Sequence, residues 1–304
     1  MTTALRIGLI APNRFPICEP FAGGLEAHVW HLARALAHDG HRVTLFAERG
    51  SDSDSRYPGL TVHPLHRSAA ASHPFPLPGA VPESNHRAYV ELMGELIEHP
   101  DGFDVIHNHS LHPVPIAMAP RLGTPMLTTF HTPPLPWLEW AIAATIDQGN
   151  TYSAVSDHTA NAWSPAVDSV TVVPNGIDIR RWPAGSGGSY LVWSGRITPE
   201  KAPHLAVEAA MRSGHRLVLA GPIADADYFR DKIVPTLDAR TSYAGHLDQE
   251  SLSALVGGAA AALVTPVWDE PYCLVVAEAL SCGTPVVAFA RGGIPELLLS
   301  LIHI

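Results

Sequence analysis

The sequence is poor in cysteine and in charge, and it holds no long apolar run. Cys18, Cys273 and Cys282 are the only cysteines in 304 residues. They are too few and too scattered for a disulfide framework, so a reducing, cytoplasmic compartment is the expectation. No stretch reaches the ~18 consecutive apolar residues of a membrane span. The opening MTTALRIGLIAPNRF turns polar too early for a secretory leader. No transmembrane segment is therefore expected, and a peripheral membrane contact through a surface helix is left open. Basic residues are in deficit: 19 Lys and Arg against 29 Asp and Glu give a formal net charge of -10. That balance argues against a nucleic-acid partner, because phosphate backbones call for a basic surface. The G-x-G-x-x-G fingerprint is also missing, which disfavours a nicotinamide-dinucleotide enzyme.

What the chain does have is a repeating order of strand-like and helix-like segments. RIGLIAP is a short apolar run, followed by Gly23-Gly24 and the helix-period segment HVWHLARALAHDG. Val29, Leu32, Ala33 and Leu36 recur there at spacings of three and four, and Asp39-Gly40 supplies the stop. HRVTLFAE, FDVIHNH, MLTTFHT, TYSAVS and SVTVVPNG continue the strand series. A Pro/Ser/Ala/His-rich stretch from His63 to Asn85 interrupts it and reads as a loop or lid. Pro183–Ser189 has the composition of a flexible linker, after which YLVWSG, RLVLAG, TSYAG, AALVTP and VVAFA restart the pattern. Apolar strands separated by helices imply parallel strands buried on both faces. The expectation is an α/β chain of two Rossmann-like, doubly wound parallel-sheet domains, spanning 1–182 and 190–304 with a linker at 183–189. Ligands of such domains lie at the carboxyl ends of the strands, here across a cleft.

Three motifs carry chemistry. The densest is E-P-Y-C-L-V-V-A-E, Glu270 to Glu278. Pro271 suits a first helical position, which puts Glu270 at the cap and runs a helix through Ala279. The free N–H groups of Tyr272, Cys273 and Leu274 then form an anion site suited to a diphosphate. Glu278 would lie two turns in, about 12 Å along the axis, so the carboxylates could grip hydroxyls at either end of a sugar diphosphate. A capped helix with an incidental glutamate is the plainer alternative. The second motif, S-G-R-I-T-P-E-K, sets Arg196 and Lys201 after a strand end, where two cations can converge on one diphosphate. Solvated surface charges are the competing reading. Gly23 and Gly24 let backbone approach a phosphate, or else make an ordinary turn.

Histidines form the remaining pattern. His131 falls at a strand end, and His107 and His109 alternate along their strand and so point the same way. With His112 they raise the question of a metal, but no cysteine or carboxylate spacing supports one, and none is assigned. His107 and His112 read as ordinary hydrogen-bonded histidines. Asp225-Ala-Asp227 reads as helix-start acidity rather than a metal-diphosphate motif.

Taken together, these residues resemble the large retaining glycosyltransferase family 4, whose fold of two Rossmann-like domains is called GT-B. E-x7-E, G-R-x-x-x-x-K and N-G-I-D (Asn175 to Asp178) stand in the family's order, and the likeness runs from Gly23-Gly24 to GGIPE. The resemblance implies transfer of a sugar from a nucleoside diphosphate sugar, UDP-glucose by type, to an acceptor that no motif names. By it Glu270 would contact the donor sugar, Glu278 the ribose hydroxyls, and Arg196 and Lys201 the diphosphate. Gly23 and Gly24 would approach the distal phosphate, Tyr272, Cys273 and Leu274 would line the donor site, and His109 would lie on the acceptor side. His131 would hydrogen-bond the sugar near the reacting carbon. Configuration would be retained by front-face substitution in which the leaving phosphate takes the acceptor's proton. Neither a protein nucleophile nor a metal or other cofactor is then expected. A nucleotide-sugar epimerase of the same fold and an inactive fragment are the alternatives.

Two departures from the family stand out. Tyr272-Cys273 replaces the common Phe-Gly. After Glu296 only LLLSLIHI follows, where relatives continue with further helices. The DNA string CTG TCT CTT ATA CAC ATC, the end of a transposon adapter, encodes Leu299 to Ile304 in order. The expectation is that the native gene continues past Leu298 and that those six residues are adapter.

Overall fold

The computed structural model describes residues 3–53, 56–65, 83–145 and 150–298. The expectations placed on Leu299–Ile304 and on positions 66–82 of the lid lie outside these residues. The chain forms two compact units.

The first unit comprises Met1–Cys18 and Leu25–Pro174. Its strands are β1 (Arg6–Ile10), β2 (Arg42–Glu48), β3 (Leu60–Leu65), β4 (Val105–Asn108), β5 (Met126–Phe130), β6 (Asn150–Ala154) and β7 (Thr171–Val172). They form one sheet in the order β3-β2-β1-β4-β5-β6-β7, with every pairing parallel. Its helices are α1 (Gly24–His38), α2 (Glu83–Glu98), α3 (Pro113–Met118), α4 (Pro136–Ala143) and α5 (Asp157–Trp163). The strands are legible because they are apolar on both faces: Leu9, Ile10, Leu45 and Ile106 are wholly buried. In α1 the spacing buries Val29 and Ala33 as expected, and Trp30 with them. Gly40 then ends the helix region in a left-handed turn.

The stretch from His63 to Asn85 needs correction at both ends. His63, Pro64 and Leu65 belong to β3, and Glu83 opens α2. β3 is an edge strand, so Pro64 withholds no N–H from a neighbour on its outer side.

The second unit comprises Glu19–Gly24 and Asn175–Ile304. It contains β8 (Tyr190–Ser194), α6 (Pro203–Ser213), β9 (Arg216–Ala220), α7 (Ala226–Tyr228), β10 (Thr241–Tyr243) and α8 (Gln249–Gly257). β11 (Ala261–Val264), α9 (Leu274–Ser281), β12 (Val286–Ala288) and α10 (Ile294–Leu298) complete it. The sheet order is β10-β9-β8-β11-β12, again parallel throughout. Asp225 caps α7 by accepting the Tyr228 N–H at 2.8 Å, so it serves the helix start.

The Gly/Ser run Pro183–Ser189 lies inside the second unit, which begins eight positions earlier at Asn175. The run is strapped to its surroundings: Gly185 N–H donates to the Cys282 carbonyl and Gly187 N–H to that of Gly257, at 2.9 and 3.0 Å. A Cβ on Gly185 would stand 2.0 Å from the Gly257 oxygen, and one on Gly188 would stand 2.2 Å from the Gly258 oxygen. Glycine serves close backbone packing here rather than flexibility.

Candidate functional site

In each sheet the strand order reverses once, between β1 and β4 in the first unit and between β8 and β11 in the second. Ligands of open parallel sheets gather beyond the carboxyl ends of the strands at such points. Arg196, Lys201 and Glu270 follow the two strands at the second of these points, and His109 follows β4 at the first, with His131 after β5, one strand further on.

In the second unit, Arg196 and Lys201 occupy the loop from β8 to α6, and Glu270 occupies the segment from β11 to α9. The Lys201 ammonium is paired with the Glu270 carboxylate across 69 positions of sequence. Trp268 completes the group. Its indole N–H donates to the same Glu270 oxygen at 2.8 Å, and Lys201 Nζ lies 5.0 Å from the centre of its ring. Glu270 is 4% exposed, so an ionised carboxylate is tolerable there only with such partners. Arg196 stands farther out, 3.9 Å from Glu200.

The helix start differs from the expected one. α9 begins at Leu274, and its cap is Cys273 rather than Glu270. Glu278 is therefore about one turn in, roughly 6 Å along the axis from Leu274. The cause lies twenty residues on, in GGIPE. Gly293 N–H donates to the Glu270 carbonyl at 2.6 Å, and a Cβ on Gly292 would stand 2.1 Å from that carbonyl oxygen. This turn holds 269–273 away from helical geometry. Cys273 takes a φ of 78°, left-handed space that costs a side-chain-bearing residue about 1–3 kcal/mol. A glycine at this position would avoid that cost. Tyr272 is buried beside it, and Leu274 Cδ1 lies 3.3 Å from where a Cβ on Gly24 would be. Gly23 belongs to the same Glu19–Gly24 segment.

The Glu278 carboxyl has no hydrogen bond or ion pair among the described residues, and burial raises it to about 7. A carboxyl whose pKa rises on folding stabilises the fold fully below its ordinary value, near 4.5 here, and loses that contribution as pH climbs through about 7. Glu278→Gln should therefore stabilise the ligand-free chain by about 1–2 kcal/mol above pH 7, a figure discounted for its partial exposure, and by little below about pH 4.5. Melting curves in the two ranges check this; equal gains in both would show that ionisation is not the cause.

In the first unit, His109 follows β4 and His131 follows β5. His109 Nδ1 and His131 Nε2 are 2.9 Å apart, and His28 of α1 lies with its ring centre 5.2 Å from that of His131 and 5.6 Å from that of His109. The His107 ring packs against that of His109, with centres 3.9 Å apart and planes 42° from parallel, as their alternation along the strand implies. His107 Nε2 meets Thr129 Oγ1 at 2.7 Å, and Thr129 in turn meets Ser153 Oγ at 2.7 Å. His112 stands apart, its Nδ1 accepting the Val114 N–H at the start of α3. Burial lowers His28 and His107 to about 4, and lowers His109 and His131 well below the ordinary value. These rings are therefore neutral near pH 7, able to give or accept a hydrogen bond but not to carry charge.

Sequence reasoning missed Trp268, the Gly292-Gly293 turn and His28. The doublet in GGIPE was a visible signal for the turn. Nothing local marks an indole N–H aimed two residues on, or a helical histidine aimed at two strand ends.

Residues 22–181 match the model described as Glycosyltransferase Family 4, and residues 177–301 match that of Glycosyl transferases group 1. A glycogen synthase of Mycobacterium tuberculosis is 29% identical over 320 residues, covering 91% of this chain and 77% of the relative. A D-inositol 3-phosphate glycosyltransferase of Acidothermus cellulolyticus is 27% identical over 350 residues, covering 96% and 77%. Among solved structures, Anabaena Alr3699/HepE in complex with UDP-glucose superposes with a TM-score of 0.71 at 18% identity, over 98% of this chain and 83% of that one.

Proposed function

We propose, because this chain belongs to glycosyltransferase family 4, that it moves a hexosyl group from a nucleoside diphosphate sugar, UDP-glucose by type, to an acceptor hydroxyl with retention of configuration. The observation that carries this reading is the convergence of Lys201, Trp268 and Glu270 at the point where the second sheet reverses order. The donor found with the Anabaena structure supports the choice of UDP-glucose.

Without donor, Glu270 takes up the charge of Lys201. A donor diphosphate brings negative charge that competes for Lys201 and for the less encumbered Arg196. Glu270, still held by Trp268, is then free to accept hydrogen bonds from sugar hydroxyls. Glu278 accepts from the ribose hydroxyls, with both oxygens available as acceptors when it is ionised. Tyr272, Cys273 and Leu274 line the donor, with Gly23 and Gly24 giving backbone access to the distal phosphate. As the sugar–phosphate bond breaks, Lys201 and Arg196 stabilise charge on the leaving diphosphate. The neutral His131 ring hydrogen-bonds the sugar, and His109, its partner at 2.9 Å, lies on the acceptor side. The acceptor's proton passes to the leaving phosphate oxygen, so the reaction asks for no protein nucleophile, metal or other cofactor.

UDP release from UDP-glucose with a panel of acceptors, followed by the anomeric NMR signal of the product, tests the reading. An inverted product would overturn it. His131→Ala should bind UDP like the parent while kcat falls about 100-fold, the usual worth of one positioned hydrogen-bonding group in the transition state. Transfer at the parental rate would remove His131 from the reacting centre.

A further inference from the structure

His28, His109 and His131 come from three separate elements of the first unit, and one ring nitrogen of each lies within 4.8 Å of the other two. We infer that these three histidines form a binding site for a single transition-metal ion of the zinc type, with a fourth position open. The sequence offers no cysteine or carboxylate at ligand spacing, which is why a metal was not expected. The ligands instead converge through the fold, from a helix and from the ends of two neighbouring strands.

The geometry needs little adjustment. Zinc–imidazole bonds of about 2.0–2.1 Å in a tetrahedron place the nitrogens about 3.4 Å apart. His109 and His131 are already at 2.9 Å, so that pair opens slightly. Since all three nitrogens lie within 4.8 Å of one another, no separation has to close by more than about 1.4 Å, within reach of small side-chain rotations. His109 is wholly buried, and its Nε2 has no hydrogen-bond partner among the described residues. The nitrogen that His109 turns toward His131 is Nδ1, so Nδ1 is its ligand atom and Nε2 is left to carry the proton of the ring. His107, packed at a tilt against His109 and anchored through Thr129, restrains the orientation of that ring. Between His109 and His131 one ring now donates to the other. On metal binding the donor ring moves its proton to its other nitrogen, so both facing nitrogens become ligands and no proton is lost. An all-imidazole set suits zinc, cobalt, nickel or copper and not magnesium or calcium, which require oxygen.

The metal is no part of the transfer chemistry proposed above. It would occupy the ring assigned to the sugar and therefore inhibit; this consequence, unlike the binding itself, rests on that assignment.

The test uses the full chain, free of any histidine tag and stripped with chelator, titrated with cobalt(II). A tetrahedral visible absorption band should grow to one equivalent and be displaced by zinc but not by magnesium. His28→Ala should weaken cobalt binding at least about tenfold. The exposed control His38→Ala should bind as the parent does. Because an alanine at position 28 could disturb the fold, His28→Cys supplies a positive signature: a sulfur-to-cobalt charge-transfer band that exists only if position 28 ligates. Absence of the tetrahedral band, equal loss in His38→Ala, or a bound cobalt without the sulfur band in His28→Cys would overturn the site. Zinc inhibition of sugar transfer, relieved by chelator, is expected alongside. Zinc bound without inhibition would leave the metal site standing and remove His131 from the reaction.

Discussion

Replacing Lys201 with alanine is expected to destabilise the second unit by about 3–5 kcal/mol and to weaken donor binding by about 1.5–3 kcal/mol, the worth of a hydrogen bond to a charged group. The stability loss comes from Glu270. Its side chain is 5% exposed against 22% for Lys201, so removing the ammonium leaves a buried carboxylate with, among the described residues, only the Trp268 indole to balance it. Neutralising that carboxylate should undo most of the damage. The double variant Lys201→Ala/Glu270→Gln is therefore expected to melt near the parent, because a carboxamide oxygen still accepts from Trp268 and carries no charge to desolvate. Donor affinity should not recover, since the cation that meets the diphosphate is gone. Melting curves of both single variants and the double variant, with calorimetry against UDP, separate the two effects. If the double variant is no more stable than Lys201→Ala, the pair does not explain the loss. If Lys201→Ala binds UDP normally, Lys201 is not a diphosphate contact.

Trp163→Ala should cost about 3–5 kcal/mol, the usual range for truncating a fully buried aromatic ring. Trp163 is wholly buried and stacks on Phe130 with ring centres 4.0 Å apart and planes 6° from parallel. Its indole N–H donates to the Thr132 carbonyl at 2.8 Å. Phe130 and Thr132 are the residues either side of His131, so one indole fixes the backbone that presents the histidine. Trp163→Phe keeps most of the stacking and loses the hydrogen bond, for about 1–2 kcal/mol. In that milder variant kcat should fall while affinity for UDP holds, because only the first unit is disturbed. A Trp163→Ala chain melting with the parent would show that the site tolerates the cavity. An unchanged kcat in Trp163→Phe would show that His131 does not depend on this bond.

Buried parallel strands such as β1 and β5 were legible because both their faces are apolar, which leaves continuous runs such as RIGLI and MLTTF. β3 was not, because an edge strand with mostly half-exposed or exposed positions lacks such a run, and Pro64 reads locally as a breaker. The meeting of Lys201 with Glu270 followed from topology once both were placed after strands that turned out to be neighbours. The start of α9 did not follow. A proline's preference for the first helical turn is a local tendency, and a backbone hydrogen bond from Gly293 outweighed it. Trp268 and His28 were invisible for a related reason: their roles depend on side-chain direction, which neither periodicity nor spacing encodes.

The glycines of Pro183–Ser189 bear on anyone who would re-engineer this chain. By composition the run invites a protease site, an inserted tag or the join of a split reporter, since such segments usually tolerate interruption. Gly185 and Gly188 rest against the backbone of Gly257 and Gly258 too closely for even a methyl group. An insertion there would lift a strap off the end of α8 rather than lengthen a tether. Saturation mutagenesis should find these small residues among the least replaceable in the second unit, in a segment that looks like filler.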